Sequence, residues 1–339
     1  MNKKLISRIL SCISITLLAA AFILTLVHLY LGDRHFDTGK NFFPPESQFI
    51  QTDNPDFNFA IMSDSGNNNL VLEKIIRHAR RSDQKYAFFL YLGDLVMNRH
   101  ETYFYWMLSE IQPKLHHKPF YMVPGNHDVI HDGDTDKSFY RSVMGATYYW
   151  FGYGNTLFIG LDSSAEYMEN EQFLWLDNIL SKIGPHFKHC IIFSHRPPQI
   201  IPGYRDHKMD DESIKRLRAI VKKHHKKIDA MFFGHVHYFS EQKFEGVPIY
   251  TTPTAGQGSS EDKRFGYIGV QVTDKGGLNV TPVFIEPPEY RREYFELFWA
   301  AQILTPKLRG IVTVLLILSA LSAAGYFATK PSCGKPSRD

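Results

Sequence analysis

Two long apolar runs bracket the chain, and between them short apolar runs alternate with polar stretches of helical period. The first, Ile9 to Leu31, holds no formal charge and one His, about the twenty-odd residues that cross a bilayer. It follows Lys3, Lys4 and Arg8, and Phe22-Ile23-Leu24 continue past Ala19-Ala20-Ala21, where a cleavable signal would end. The pattern predicts an uncleaved transmembrane helix over 9–31. The second run, Gly310 to Thr329, is uncharged and precedes Lys330, Lys335 and Arg338, so 310–329 is expected to span as well. Two spans put both termini on one side. The basic start places the N-terminus (1–8) and the tail (330–339) in the cytoplasm and the intervening domain outside, with Lys307 and Arg309 weighing against that orientation.

Inside this frame, strand-like runs fall at 57–62, 86–92, 120–123, 157–161, 190–193 and 230–233, and helical patterns at 70–80, 103–112, 172–183 and 212–224. The alternation predicts an α/β domain over 57–286. Later runs at 248–252, 266–272 and 279–284 have tight turns between them and suggest a second, more antiparallel sheet. Residues 32–56, with Pro44-Pro45, are expected to be a linker, and 287–309 a membrane-proximal segment.

Composition adds little beyond exclusions. With 38 basic and 35 acidic residues, no bulk charge points to nucleic acid. The basic run Lys222–Lys227 falls at a predicted helix end, where cations favour the dipole, so a solvated terminus is expected there in preference to a lipid contact. Cys12, Cys190 and Cys333 are far apart and form no C-x-x-C pair, which disfavours a disulfide framework and a zinc knot. Any metal has to use His, Asp and Asn.

Those residues cluster where an α/β sheet binds its ligands, just past the carboxyl ends of strands. Asp64 follows the first strand, Asp94 the second, Asn126-His127-Asp128 the third, then Asp162, His195-Arg196 and His235-Val236-His237. Each cluster alone is compatible with a turn. Their repetition in one register, ending in His-x-His, points to a site for hard or borderline metals such as manganese, iron, zinc or nickel. Asp94, at the end of a central strand, is the candidate to bridge a metal pair with its two oxygens.

In these blocks the sequence resembles the calcineurin-like metallophosphoesterase family, whose order of Asp-x-His, Gly-Asp, Gly-Asn-His-Asp/Glu, a lone His and Gly-His-x-His is nearly complete from Phe57 to about Phe284. The resemblance implies a four-layer αββα sandwich of two mixed sheets, here flanked by the two transmembrane helices. It implies two divalent or trivalent metal ions: Asn126, His195 and His235 would hold one, Asp64 and His237 the other, and Asp94 both. One block departs. Gly66 stands where the family has its first His, as in the purple acid phosphatase branch, but Met97 stands where that branch supplies Tyr. Asn67, Asn68, Asn98 or a water are the candidates for the missing ligand, and Met97 is expected simply to pack, because a thioether suits hard metals poorly.

The expected substrate is a phosphomonoester or phosphodiester, attacked by a metal-bridging water ionised near neutral pH. His127 is placed to protonate the leaving group if Asp128 keeps its ring charged, and Arg196 is either a phosphate contact or a surface ion pair. The alternative is a metal-binding membrane protein with weak or no catalysis, since the ligand at Gly66 is missing.

Overall fold

The computed structural model describes residues 3–32, 48–50, 52, 55–97, 101–129, 137–202, 207–258, 264–274, 277–286 and 307–329. The chain divides into two units, residues 36–293 and the two ends, 1–35 with 294–339. In the larger unit the strands are β1 (Gln48–Ile50), β2 (Phe57–Met62), β3 (Phe89–Tyr91), β4 (Phe120–Met122), β5 (Tyr149–Tyr153), β6 (Thr156–Gly160), β7 (His189–Ser194), β8 (Ala230–Phe233), β9 (Ser240–Phe244), β10 (Val247–Thr251), β11 (Phe265–Thr273) and β12 (Gly277–Ile285). Its helices are α2 (Asn69–Arg81), α3 (Glu101–Leu115), α4 (Ser138–Met144), α5 (Asn170–Lys182) and α6 (Asp211–His224).

Two mixed sheets result, one ordered β1-β5-β6-β7-β8-β10-β9 and the other β12-β11-β2-β3-β4. Their facing sides share one aromatic core: Phe59 and Phe88 from the smaller sheet meet Phe151 and Phe158 from the larger. Phe59 meets Phe158 edge to face at 5.1 Å, and Phe151 stacks on Phe158 at 4.8 Å, geometries that the ring quadrupoles favour. β6, β7 and β8 are buried along their whole length, because the aromatic core covers one face and helices cover the other. There Phe173, Leu176 and Leu180 of α5 and Leu217 and Val221 of α6 pack on Ile159, Ile192 and Met231. α2 covers the smaller sheet with a stripe of Val71, Leu72, Ile75, Ile76 and Ala79, the spacing of one helical face. Asn68 Oδ1 caps it, accepting from the Val71 N–H at 3.3 Å.

The αββα expectation holds, with three corrections to its parts. The linker predicted over 32–56 is not wholly a linker, since Gln48–Ile50 pairs in parallel with β5; a three-residue strand is too short to show a period. β5 and β9 went unpredicted: both are first members of hairpins, paired through backbone with β6 and β10. The run at 248–252 does not belong with the later antiparallel strands. It is β10, parallel to β8 in the larger sheet; in the smaller sheet β11 pairs antiparallel with β2, and β12 with β11. The 287–309 segment, apart from the helical start at 307, and the 330–339 tail lie outside the described residues.

In the other unit α1 (Lys3–Gly32) and α7 (Lys307–Thr329) are each long and apolar enough to cross a membrane over 4–26 and 310–328. They pack together through small polar residues. Ser14 and Ser319 hydroxyls lie 3.0 Å apart, each also donating to the other's carbonyl, and Ser322 Oγ donates to Leu10 O at 2.7 Å.

Candidate active site

The parallel strands β2, β3, β4, β7, β8 and β10 deliver their carboxyl ends to one place, and the turns there are tight. Asp64, Asp94, His235 and His237 have φ of +61°, +56°, +67° and +60°, a left-handed conformation that costs L residues energy and that surrounding contacts have to enforce. Those contacts are dense. A Cβ on Gly125 would lie 2.2 Å from Asp94 Oδ1 and 2.3 Å from Asp94 N, so only glycine lets the third loop approach the second this closely.

His195 is fully buried and donates Nδ1–H to Leu92 O at 2.7 Å. A carbonyl only accepts, so Nδ1 keeps its proton and Nε2 faces inward as the nitrogen that would give up its proton to a metal. It lies 3.5 Å from Asp94 Oδ1, 3.1 Å from Asn126 Oδ1 and 3.0 Å from His235 Nδ1. Asp94, His195 and His235 thus offer ligand atoms all within 4.8 Å of one another. His237 repeats the device, donating Nδ1–H to Gly258 O at 3.1 Å and presenting Nε2 to Asp64 Oδ1 at 3.4 Å. Orienting a ligand ring through its other nitrogen is how metal sites are supported from behind. Asp64 Oδ2 accepts from the His235 N–H at 2.9 Å and from the Ser63 hydroxyl. Asp64 Oδ1 is buried without a hydrogen bond, a cost of about 1–3 kcal/mol unless something else takes the lone pair.

The electrostatics suit a cation. Burial disfavours charge on His195, but the adjacent Asp94 carboxylate outweighs it and lifts the ring to about 9. Burial also pushes the Asp94 carboxyl up, while His195 and then His127 overcome this and hold it below its ordinary value. His237 is raised because Asp64 outweighs its burial. His235 is lowered, by burial and then by the positive groups His195, Arg196, His207 and His237. Metal ions compete for these same lone pairs. The donors are one amide oxygen, carboxylates and imidazoles, with an unbonded Asp64 Oδ1 among them, and they fit divalent ions.

Four sequence expectations change here. Asp128 does not touch the His127 ring. Its Oδ2 accepts from the main-chain N–H groups of Asp94 (2.7 Å) and Gly125 (2.9 Å), and its Oδ1 from Leu95 (2.9 Å) and Val96 (3.3 Å). It therefore splints the loop that carries Asp94. Burial and the Asp94 charge push Asp128 up to about 7, against the pull of those N–H donors. The His127 ring is held by the Met97 carbonyl, to which Nδ1–H donates at 2.9 Å. Met97 is not a core residue, being 40% exposed; its carbonyl holds the His127 ring and its Sδ accepts from Gln257 Nε2. Asn67 and Asn68 are committed elsewhere: Asn67 Oδ1 accepts from Met97 N at 3.1 Å, and Asn68 caps α2 and donates to Gly256 O at 3.1 Å. Asn98 lies outside the described residues.

Arg196 is not a surface residue either. It is 8% exposed, and Nη1 donates to His235 Nε2 at 2.8 Å. Asp162 supports its own turn, accepting from Ser164 N and Oγ and pairing with the buried Lys137 ammonium at 2.7 Å. Two residues at the site escaped the sequence reading. His207 places its ring 4.9 Å from that of His235, and Gln257 follows β10, where its N–H donates to Asp64 O at 2.8 Å. The strand-end rule would have found Gln257 had β10 been assigned to the parallel set.

With this geometry in view, the likenesses to known proteins agree. The model of the calcineurin-like phosphoesterase family matches residues 57–239. A probable cyclic nucleotide phosphodiesterase of Vesicomyosocius okutanii subsp. Calyptogena okutanii is 25% identical over 228 residues, covering 65% of this chain and 91% of the relative. A probable glycerophosphodiester phosphodiesterase of Arcobacter nitrofigilis is 28% identical over 211 residues, covering 57% and 72%. In fold, a purple acid phosphatase from yellow lupin seeds superposes with a TM-score of 0.55 at 14% identity over 70% of this chain and 53% of that one. A dimetal phosphatase from Danio rerio does so at 0.52 and 15%, over 68% and 99%. The chain belongs to the calcineurin-like phosphoesterase family. It is a metallophosphoesterase, with Asp94, His195 and His235 clustered at its strand ends where they could hold a metal ion.

Proposed function

We propose that this chain hydrolyses phosphate esters, phosphodiesters foremost, at a dinuclear centre held by Asp64, Asp94, Asn126, His195, His235 and His237, on a domain anchored to a membrane by α1 and α7. The observation that carries this is the convergence past the strand ends of both sheets of His195 Nε2 on Asp94 and Asn126, and of His237 Nε2 on the unbonded Asp64 Oδ1. The two relatives named as phosphodiesterases favour diesters. When bound, paired divalent ions neutralise phosphate oxygens and acidify a shared water.

The protein's own side chains do the rest. Asp94 offers an oxygen to each metal position, while the main-chain N–H of His127 steadies its Oδ1 at 2.9 Å. His127, fixed at Nδ1 by the Met97 carbonyl, delivers a proton from Nε2 to the departing alkoxide. Arg196 recognises phosphate. His235 would hold a metal through Nδ1, with its ring proton then on Nε2, and the Arg196 guanidinium would turn from that nitrogen to the anion it suits best.

The test is turnover by the full chain in detergent, loaded with manganese, iron, zinc or nickel. Bis(4-nitrophenyl) phosphate should be cleaved faster than 4-nitrophenyl phosphate, and chelation should abolish both. Bound metal without turnover of either ester would overturn the proposal in favour of a metal-binding membrane protein.

A further inference from the structure

Three protein ligands, Asp64, Asp94 and His237, serve the second metal position as proposed above, which is one short of a closed tetrahedral set. The donor that a residue at position 66 would have supplied is absent, because that residue is glycine. What fills the space is Gln257. A Cβ built on Gly66 would lie 3.1, 3.1 and 3.2 Å from Cβ, Cγ and Cδ of Gln257, so the glutamine side chain runs through the volume that a longer residue 66 would enter.

The Gln257 main chain is pinned to the site. Its N–H donates to Asp64 O at 2.8 Å, Thr254 Oγ1 donates to Asp64 O and to Gln257 O, and the next carbonyl, Gly258 O, orients the His237 ring. At the far end of the side chain, Nε2 donates to Met97 Sδ at 3.4 Å. That fixes which way the amide faces, because a thioether has no proton to give. Oε1 is then turned from Met97, and it is buried without a hydrogen-bond partner. The buried unbonded oxygens of Asp64 and Gln257 thus belong to residues joined by a main-chain hydrogen bond. An amide oxygen is a hard neutral donor of the kind these metals accept.

We infer that Gln257 Oε1 is the fourth protein ligand of the metal held by Asp64, Asp94 and His237, in place of the side chain that Gly66 lacks. The inference rests on the dinuclear reading, and one experiment separates the two. Metal content and manganese affinity are measured on the full chain in detergent, by elemental analysis after dialysis and by titration followed with electron paramagnetic resonance. Wild type should hold two ions and show the spin-coupled signal of a pair. Gln257→Met keeps the length and volume but has no oxygen; it should retain one ion and bind the second on the order of 10–100-fold more weakly, the scale of losing support at a metal site. Gln257→Glu restores an oxygen and should recover the pair. Two tightly held ions in Gln257→Met, or loss of the second in Gln257→Glu as well, would reduce Gln257 to a packing residue. Fewer than two ions in wild type would overturn the dinuclear reading and this inference with it.

Discussion

At the scale of single residues, the adjacent pair His127 and Asp128 divides its labour. One ring nitrogen of His127 is spent on a carbonyl, whereas both oxygens of Asp128 are spent on main-chain N–H groups. His127→Ala should therefore keep bound metal yet slow a substrate with a poor leaving group by roughly 10²–10⁴-fold, with a smaller loss for nitrophenyl esters, whose leaving anion needs no proton. Asp128→Asn should behave differently, lowering metal content and activity toward good and poor leaving groups alike. It should also destabilise the domain by about 1.5–3 kcal/mol, the worth of a hydrogen bond to a buried charge. Elemental analysis, the two rates and thermal unfolding decide between these patterns; metal lost from His127→Ala would make that residue a ligand. The ligand types and their order were legible in the sequence because each lies one step beyond an apolar run. The partner of Asp128 was not, since main-chain N–H groups leave no trace in side-chain chemistry, and Gln257 was hidden by the assignment of the strand before it.

At the scale of elements, long buried strands and amphipathic helices were visible from their periods, while β1, β5 and β9 were not. Their pairing is decided by a neighbour's backbone and not by their own pattern. The amino end of β7, opposite the strand ends that carry the site, offers a measurement independent of it. His189, at the start of β7, places Nδ1 3.3 Å from Asp229 Oδ1 and Nε2 3.3 Å from Thr273 O, two acceptors that only a doubly protonated ring satisfies. The hydrogen bond to Asp229 raises its pKa against the opposing effect of burial, with the Asp229 and Asp274 charges and the Thr273 carbonyl helping. The folded pKa lies above the unfolded one, so the stabilisation is fully present below about pH 6.5, the unfolded value. It is lost as pH rises through the folded pKa. The difference in unfolding temperature between wild type and His189→Gln should be largest near pH 5.5 and shrink toward pH 8.5. A difference that grows with pH would contradict the assignment.

At the scale of the whole molecule, the two apolar ends were the plainest feature of the sequence, but the serine contacts that join α1 to α7 were not, because nothing in one helix names its partner. That joining has a thermodynamic consequence. The segments 33–47 and 287–306 both lead from the catalytic unit into one paired helix unit, so the domain is a closed ring of chain, fastened non-covalently. Like a cross-link, a fastening that survives when the domain melts withholds entropy from the unfolded chain, by at most ~5 kcal/mol on the scale set by disulfide loops of 100 residues or more. A site-specific protease sequence placed in 33–47 tests this together with the orientation we propose. Protease added outside intact cells should cut it, as an extracytoplasmic domain requires, and the nicked protein, its ring opened, should unfold at a lower temperature although no contact within the domain has been removed. Resistance until lysis would reverse the orientation, and an unchanged unfolding temperature would mean that α1 and α7 part when the domain melts.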